Sequence, residues 1–291
     1  MKILVTGSNG QLGYDVLKEF HRRKIPCRGI DREECDITNM PQVMHWVETY
    51  QPDAVIHCAA YTNVNRAETE QTLCMDINYR GSANIAAAAN KTGAKLIYIS
   101  TDYVFGASGE QPLGIYEAKN PLNTYGETKL SGENSTRILC PRSFIVRTSW
   151  VFGINGSNFV KTMLRLGREK EEISVVSDQI GSPTYTADLA PLLCDMAMTE
   201  RFGTYHATNE GYCSWYEFAR EIMRLGHLPA KIHPVATADY PSPAARPLNS
   251  RLSKESLDEA GFPRLPHWKD ALQRYLSELA IAEEEGVLKA F

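Results

Sequence analysis

The stretch Ile3-Leu4-Val5-Thr6-Gly7-Ser8-Asn9-Gly10-Gln11-Leu12-Gly13 decides the fold. Its first four residues read as a short buried strand, and Gly7, Gly10 and Gly13 follow at three-residue spacing. From Gln11 to Arg23 the period changes to that of a helix, with Leu12, Val16, Leu17 and Phe20 on one side. A strand that turns through three glycines into a helix is the phosphate-binding corner of a dinucleotide fold. The glycines allow a tight turn, close approach of backbone to a pyrophosphate, and close packing of helix on sheet. The helix start supplies free N–H groups and partial positive charge for the phosphates.

Outward from this corner, strand and helix alternate. Strands are expected at Cys27 to Asp31, Ala54 to His57, Leu96 to Ser100 and Ser143 to Val146, the last running into Arg147. Helices are expected at Met40 to Tyr50 and Met75 to Asn90, the second closed by Lys91-Thr92-Gly93. The strands are near-continuous apolar runs, which suits a parallel sheet covered on both faces. The fold class that follows is α/β, a doubly wound, Rossmann-type parallel sheet with a smaller C-terminal substrate-binding region. Residues 1–150 form the expected dinucleotide-binding domain and 151–291 the main substrate-binding region, with later segments returning to the sheet. In that second part the pattern gives helices at Asn158 to Arg168, Thr186 to Met198, Ser214 to Leu225 and Trp268 to about Glu284. It also gives a strand at Ile173 to Val176 and an extended loop from Pro234 to Pro247, lying over a ligand.

Composition narrows the function classes. A net charge of −4 over 291 residues gives no basic surface for nucleic acid. No apolar run reaches membrane-spanning length, and the first residues lack the apolar region and cleavage site of a signal peptide. The seven cysteines are scattered, odd in number and never form C-x-x-C, so reduced thiols and a cytoplasmic location are expected. The seven histidines show no metal spacing, and no metal ligand is assigned.

The candidate cofactor residues follow the strand ends. Gly7, Asn9, Gly10, Gln11, Leu12 and Gly13 form the phosphate loop. Asp31, about twenty residues on, stands where a carboxylate can accept bonds from the adenosine ribose of NAD. Arg32 beside it suits a 2′-phosphate, so the preference between NADH and NADPH stays open. Asp36-Ile37 either flanks the adenine or caps a helix. Ala59, Ala60 and Tyr61 follow the third strand, where small residues let the backbone run beside the cofactor.

Ser100-Thr101-Asp102-Tyr103-Val104-Phe105 closes the fourth strand at the same edge of the sheet as the glycine loop. Tyr125 and Lys129 are four apart in Asn123-Thr124-Tyr125-Gly126-Glu127-Thr128-Lys129-Leu130, so on a helix they share a face. A cation beside a phenol lowers its pKa from ~10 toward the useful range. With Thr101 the pair makes a hydroxyl–Tyr–Lys set. In these motifs and their order the chain resembles the extended short-chain dehydrogenase/reductase superfamily.

Within it, the chain resembles the dTDP-4-dehydrorhamnose reductase family. The runs that carry the likeness include Ala59-Ala60-Tyr61-Thr62-Asn63-Val64, Arg147-Thr148-Ser149-Trp150-Val151, Asp178-Gln179-Ile180-Gly181-Ser182-Pro183-Thr184 and Arg246-Pro247-Leu248-Asn249-Ser250-Arg251-Leu252. The resemblance implies reduction of the C4 keto group of dTDP-4-dehydro-L-rhamnose by NADPH or NADH. It implies that Tyr125 donates the proton, that Lys129 lowers the Tyr125 pKa and bonds the nicotinamide ribose, and that Thr101 steadies the carbonyl oxygen. It further implies substrate contacts from Asn63, Val64, Thr101, Asp102, Trp150 and Arg246, the last toward the diphosphate. Tyr61 stands where the family usually has His, and Asn65 where it has Asp. Members that dimerise around Mg²⁺ carry several acids on the first helix and on the helix after Ser-Pro-Thr. Only Asp15 and Asp188 are candidates for that role, so a Mg²⁺-bridged dimer is not expected, and the chain is a monomer or a homodimer. Two alternatives stay open: another nucleotide-sugar reductase or epimerase, and a non-catalytic dinucleotide-binding regulatory subunit.

Overall fold

In the computed structural model, which describes residues 1–284, the chain in order forms β1 (Ile3–Thr6), α1 (Gln11–Arg22), β2 (Cys27–Ile30), α2 (Met40–Tyr50), β3 (Ala54–His57), α3 (Val64–Ala67), α4 (Gln71–Met75), a π turn (Asp76–Gly81), α5 (Ser82–Thr92), β4 (Lys95–Thr101), α6 (Thr124–Leu139) and β5 (Ser143–Thr148). The second part gives β6 (Val151–Phe152), α7 (Phe159–Glu169), β7 (Glu172–Val176), β8 (Ile180–Gly181), β9 (Thr184–Tyr185), α8 (Thr186–Ala197), β10 (Gly203–His206), β11 (Cys213–Ser214), α9 (Trp215–Leu225), β12 (Lys231–Val235), β13 (Asn249–Ser250), α10 (Glu255–Glu259) and α11 (Trp268–Glu284).

The main sheet has six strands in the order β10-β5-β4-β3-β1-β2, all parallel. Side chains alternate between its faces. Ile3, Val5, Ile56, Ile97, Phe144 and Val146 pack with Val16 and Phe20 of α1 and with Leu189 and Leu193 of α8. Leu4, Val55 and Leu96 face the other way, onto Val43 and Val47 of α2 and Ile85 and Ala89 of α5. The strands read as unbroken apolar runs because each face has its own helical layer. The chain direction across the sheet reverses between β1 and β3, and that switch point is where doubly wound sheets place their ligands.

The second region has its own core, built from Phe152, Val160, Ile173, Phe218, Trp268 and Tyr275. α8 and β10, both beyond residue 150, return to the main sheet.

Two expectations are corrected, and one strand was not expected. The helix expected to begin at Met75 begins at Gln71 and passes through the π turn before α5. Its start has no side-chain cap to signal it. Within the π turn, the Asn78 amide is drawn off to the backbone of Tyr61 and the hydroxyl of Thr128. The stretch expected as a loop from Pro234 opens with the last two residues of β12, which pairs with β7. Pro234 hid this strand, since proline is tolerated on an edge. The sixth strand of the main sheet, β10, has no apolar run to announce it: Gly203 and Thr204 lie toward the surface, and only Tyr205 and His206 are buried.

Candidate active site

β1, β3 and β4 deliver their C-terminal ends to one crevice of ≈ 860 Å³. Its floor at the β1 end is the glycine loop. Gly7 has φ +67°, and a Cβ there would lie 2.6 Å from the Ala59 nitrogen. A Cβ at Gly13 would lie 2.2 Å from the Gly7 carbonyl oxygen. Side chains are therefore excluded where α1 begins, and its first turn carries no acid to compete with an anion. This cradle fits the pyrophosphate of a dinucleotide. The loop is fastened to the second region, since Gln11 Oε1 accepts from the Gly153 N–H (2.9 Å) and the Asn158 amide (3.0 Å).

At the β2 end, Asp31 Oδ2 accepts from the Asn9 N–H at 2.9 Å and Oδ1 from the Arg32 N–H at 2.7 Å. Both oxygens are thus engaged with backbone, while the Arg32 side chain is exposed at the crevice edge. Asp36 Oδ1 accepts from the Thr38 N–H and hydroxyl, and Asp36 and Ile37 both line the crevice.

The Asn123 side chain caps α6 by accepting from the Gly126 N–H at 2.8 Å. That fixes where Tyr125 and Lys129 point, and both line the crevice with Thr101, Asp102 and the glycine loop. Burial pushes the Tyr125 phenol well above its ordinary pKa, and a hydrogen bond with the Thr101 hydroxyl lowers it by less. Thr101 Oγ1 donates to Asp102 Oδ1 (3.1 Å) and accepts from the Tyr103 N–H (3.2 Å). Asp102 is 2% exposed, and burial raises its carboxyl to about 6.

The structure gives the Lys129 ammonium partners of its own. It donates to the Ile99 carbonyl at 2.7 Å and lies 4.2 Å from the centre of the Tyr98 ring, and burial lowers its own pKa to about 7. The phenol is held in the protonated form, which is the form a proton donor requires.

The remaining sequence candidates divide by position. Ala59, Ala60, Val64 and Trp150 line the crevice. Tyr61 turns its hydroxyl to Glu70 Oε2 (2.5 Å), and Asn63 caps α3 through the Arg66 N–H (3.1 Å), so neither side chain is among the lining groups. Arg246 lies beyond the lining: it donates to Asn65 Oδ1 at 2.9 Å, and it meets Tyr103, which does line the crevice. Asn65, where the family's Asp is usual, thus takes part in holding this arginine. Asp15 and Asp188 are turned inside the molecule. The first accepts from the Thr186 hydroxyl, the second from Asn209 and Arg274.

Sequence reasoning missed Trp215. It comes from the start of α9, and its ring stacks on Trp150 with centroids 3.7 Å apart and 15° between planes. No local pattern marks it, because the contact joins residues 65 positions apart in the chain. Trp150 itself has φ +49°, an uncommon conformation for a bulky residue.

A doubly wound parallel sheet, with a glycine cradle at one strand end and Thr101, Tyr125 and Lys129 at another, defines the short-chain dehydrogenase/reductase class. The family model described as RmlD substrate binding domain matches residues 1–281, and the chain belongs to that family. It is 41% identical to the spore coat polysaccharide biosynthesis protein SpsK of Bacillus subtilis, over 97% of this chain and 99% of that one. It is 38% identical to the dTDP-4-dehydrorhamnose reductase of Escherichia coli, over 96% of this chain and 98% of that one. Among solved structures, dTDP-4-dehydrorhamnose reductase from Bacillus anthracis in complex with NADP superposes with a TM-score of 0.93 at 44% identity, over 95% of this chain and 99% of that one.

Proposed function

We propose that this protein is an NAD(P)H-dependent dTDP-4-dehydrorhamnose reductase, converting dTDP-4-dehydro-L-rhamnose to dTDP-L-rhamnose. The observation that carries the reading is the convergence of Thr101, Tyr125 and Lys129 on the crevice that begins at the glycine cradle. The full-length likeness to reductases of that name supports the substrate. The first 150 residues hold the dinucleotide, and the later region, through Trp215 stacked on Trp150, holds the sugar nucleotide.

When bound, a reduced nicotinamide cofactor supplies a hydride to the carbonyl carbon. The protein's part is geometry and a proton. The glycine loop and the start of α1 hold the pyrophosphate, and Arg32 meets a 2′-phosphate when one is present. Thr101 donates to the carbonyl oxygen and steadies the charge that gathers there. Tyr125 gives its hydroxyl proton to that oxygen, so the ketone leaves as an alcohol. Lys129, beneath them, offers its ammonium to the nicotinamide ribose. The test is the near-ultraviolet absorbance of NADPH and NADH on adding dTDP-4-dehydro-L-rhamnose. The expected result is loss of absorbance with at least one cofactor. No loss with either, while the dinucleotide still binds, would favour a binding module.

A further inference from the structure

The seam between the glycine loop and the second region is closed by hydrogen bonds that the reaction described above does not use. Gln11 is the first residue of α1, and the Gly10 cap before it offers no side chain to the helix. The N–H groups of the first turn are thus left for an anion in the cradle. The side chain of the same residue reaches into the second region. Its Oε1 accepts from the Gly153 N–H (2.9 Å) and from Asn158 Nδ2 (3.0 Å). Beside it, Asn155 Nδ2 donates to the Asn9 carbonyl at 2.7 Å. Gly156 sits so near that a Cβ on it would lie 3.3 Å from Gln11 Cγ.

The loop 153–158 that meets Gln11 is built as one piece. Asn158 Nδ2 also donates to the Gly153 carbonyl at 2.9 Å, which closes the loop end to end. Asn158 Oδ1 caps α7 by accepting from the Lys161 N–H at 3.0 Å. The buried Lys161 ammonium donates to the Ile154 carbonyl at 2.6 Å and to the Gly156 carbonyl at 2.8 Å. A loop held from inside in this way shifts as a unit with the start of α7. The next residue, Phe159, packs its ring on Trp215 with centroids 4.5 Å apart, and Trp215 stacks on Trp150. Gly156, Ser157 and Asn158 line the crevice together with both tryptophans and with Asn9, Gly10 and Gln11. Gln11 therefore belongs to both sides: its backbone starts the helix at the cradle, and its side chain holds the loop that leads to the tryptophan stack.

We propose that Gln11 is a positioning residue that couples the two halves of the site: a dinucleotide on the glycine loop fixes Gln11, and Gln11 sets the loop 153–158 and, through Phe159, the Trp215 ring at the sugar-nucleotide end. The inference rests on the dinucleotide-reductase reading of the site. A ligand that orders one side lowers the ordering cost of the other, so the two bind with positive cooperativity. The first test uses NADPH alone and follows hydrogen exchange of the Gly153 amide relative to the amides of β1, a ratio that removes any general stabilisation of the fold. NADPH should slow this amide about fivefold or more in the wild type. It should leave the amide unchanged in Gln11→Met, which keeps the length of the side chain and removes the oxygen. No slowing in the wild type, or the same slowing in the variant, overturns the proposal.

The second test measures NADPH affinity, by energy transfer from the tryptophans, with and without saturating dTDP. The wild type should bind NADPH about tenfold tighter with dTDP present, and Gln11→Met less than about twofold tighter. Gln11→Glu keeps an oxygen for both N–H groups, so it should keep the ratio although its charge weakens NADPH itself. A purely structural role would move the affinities and leave the ratio in place in every variant. A wild-type ratio in Gln11→Met, a lost ratio in Gln11→Glu, or dTDP that binds the wild type without tightening NADPH contradicts the proposal. Should Gln11→Met not fold, Gln11→Asn draws the oxygen back by one methylene. The same loss of ratio is expected there, and an unmoved ratio refutes the coupling. A wild type in which NADPH slows the Gly153 amide while dTDP does not bind would remove the substrate assignment and leave the Gln11 role intact.

Discussion

Tyr125 and Lys129 lie one helical turn apart, yet different neighbours set their ionisation. Burial keeps the phenol protonated, and burial against Tyr98 and the Ile99 carbonyl brings the ammonium down to about 7. Replacing Tyr125 by Phe removes the acid and little volume. The turnover number should fall by about 10²–10⁴-fold, the usual worth of a positioned general acid, with NADPH affinity within about threefold. Near-normal turnover of the purified variant would exclude Tyr125 as the donor. At the ribose end, the Asp31 carboxylate is engaged by two backbone N–H groups, while the Arg32 side chain stands exposed at the crevice edge. Arg32→Ala should weaken NADPH about tenfold and NADH by less than about twofold, since only NADPH offers a phosphate for the guanidinium. Equal losses in direct titrations would assign recognition elsewhere. At this scale the shared crevice position of Thr101, Tyr125 and the glycine loop was legible, because backbone periodicity alone puts them at strand and helix ends. The partner of Lys129 was not legible, because the direction of an ammonium is decided by a carbonyl thirty residues away. Trp215 could not be found at all.

The elements owe their places to close packing as much as to pattern. α1 meets β1 so closely that a Cβ on Gly13 would collide with the Gly7 carbonyl at 2.2 Å. Gly13→Ala should therefore cost about 1–3 kcal/mol, as overpacking does, and should abolish tight NADPH binding by opening the cradle. Urea unfolding and cofactor titration together check this, and an alanine variant with wild-type midpoint and affinity would contradict it. Elements with strong local signals were legible. α2, with Asn39 accepting from the Gln42 N–H, and α11 at Trp268–Glu284 match their expected bounds. α9 carries a capping box between Ser214 and Glu217, which marks its start. β10 and the π turn were not legible, since one depends on a neighbouring strand and the other on where the Asn78 side chain finds partners.

For the whole molecule, the docking of α1 on α8 closes the sheet's second face, and Asp15 sits in that contact. It is 2% exposed, its Oδ2 accepts from Thr186, and its Oδ1 has no partner among the described residues. Burial raises its pKa from 3.8 to about 6. Because the folded value is the higher one, the stability it contributes is full below about 3.8 and is lost as pH rises through about 6. Asp15→Asn should imitate the protonated form. The variant should match the wild type near pH 4 and exceed it at pH 7, by at most about 3 kcal/mol. Thermal unfolding curves that run parallel across this range would show that the carboxyl is not titrating in the fold. The α/β class and the site at the strand ends were readable from the alternation of apolar runs with amphipathic ones. The interlocking of the two regions was not, since Gln11 reaches Gly153 and Asn158 by contacts distant in sequence.

In the proposed reaction the crevice brings a carbonyl at C4 of a dTDP-sugar between a nicotinamide and Tyr125. Incubation with dTDP-4-dehydro-L-rhamnose and NADPH deuterated at the transferable position tests it most directly. The expected product is dTDP-L-rhamnose carrying deuterium at C4, formed about 10²–10⁴-fold more slowly by Tyr125→Phe. Recovery of unreduced sugar nucleotide from a wild-type protein that binds the cofactor, or deuterium at any other carbon, would contradict it.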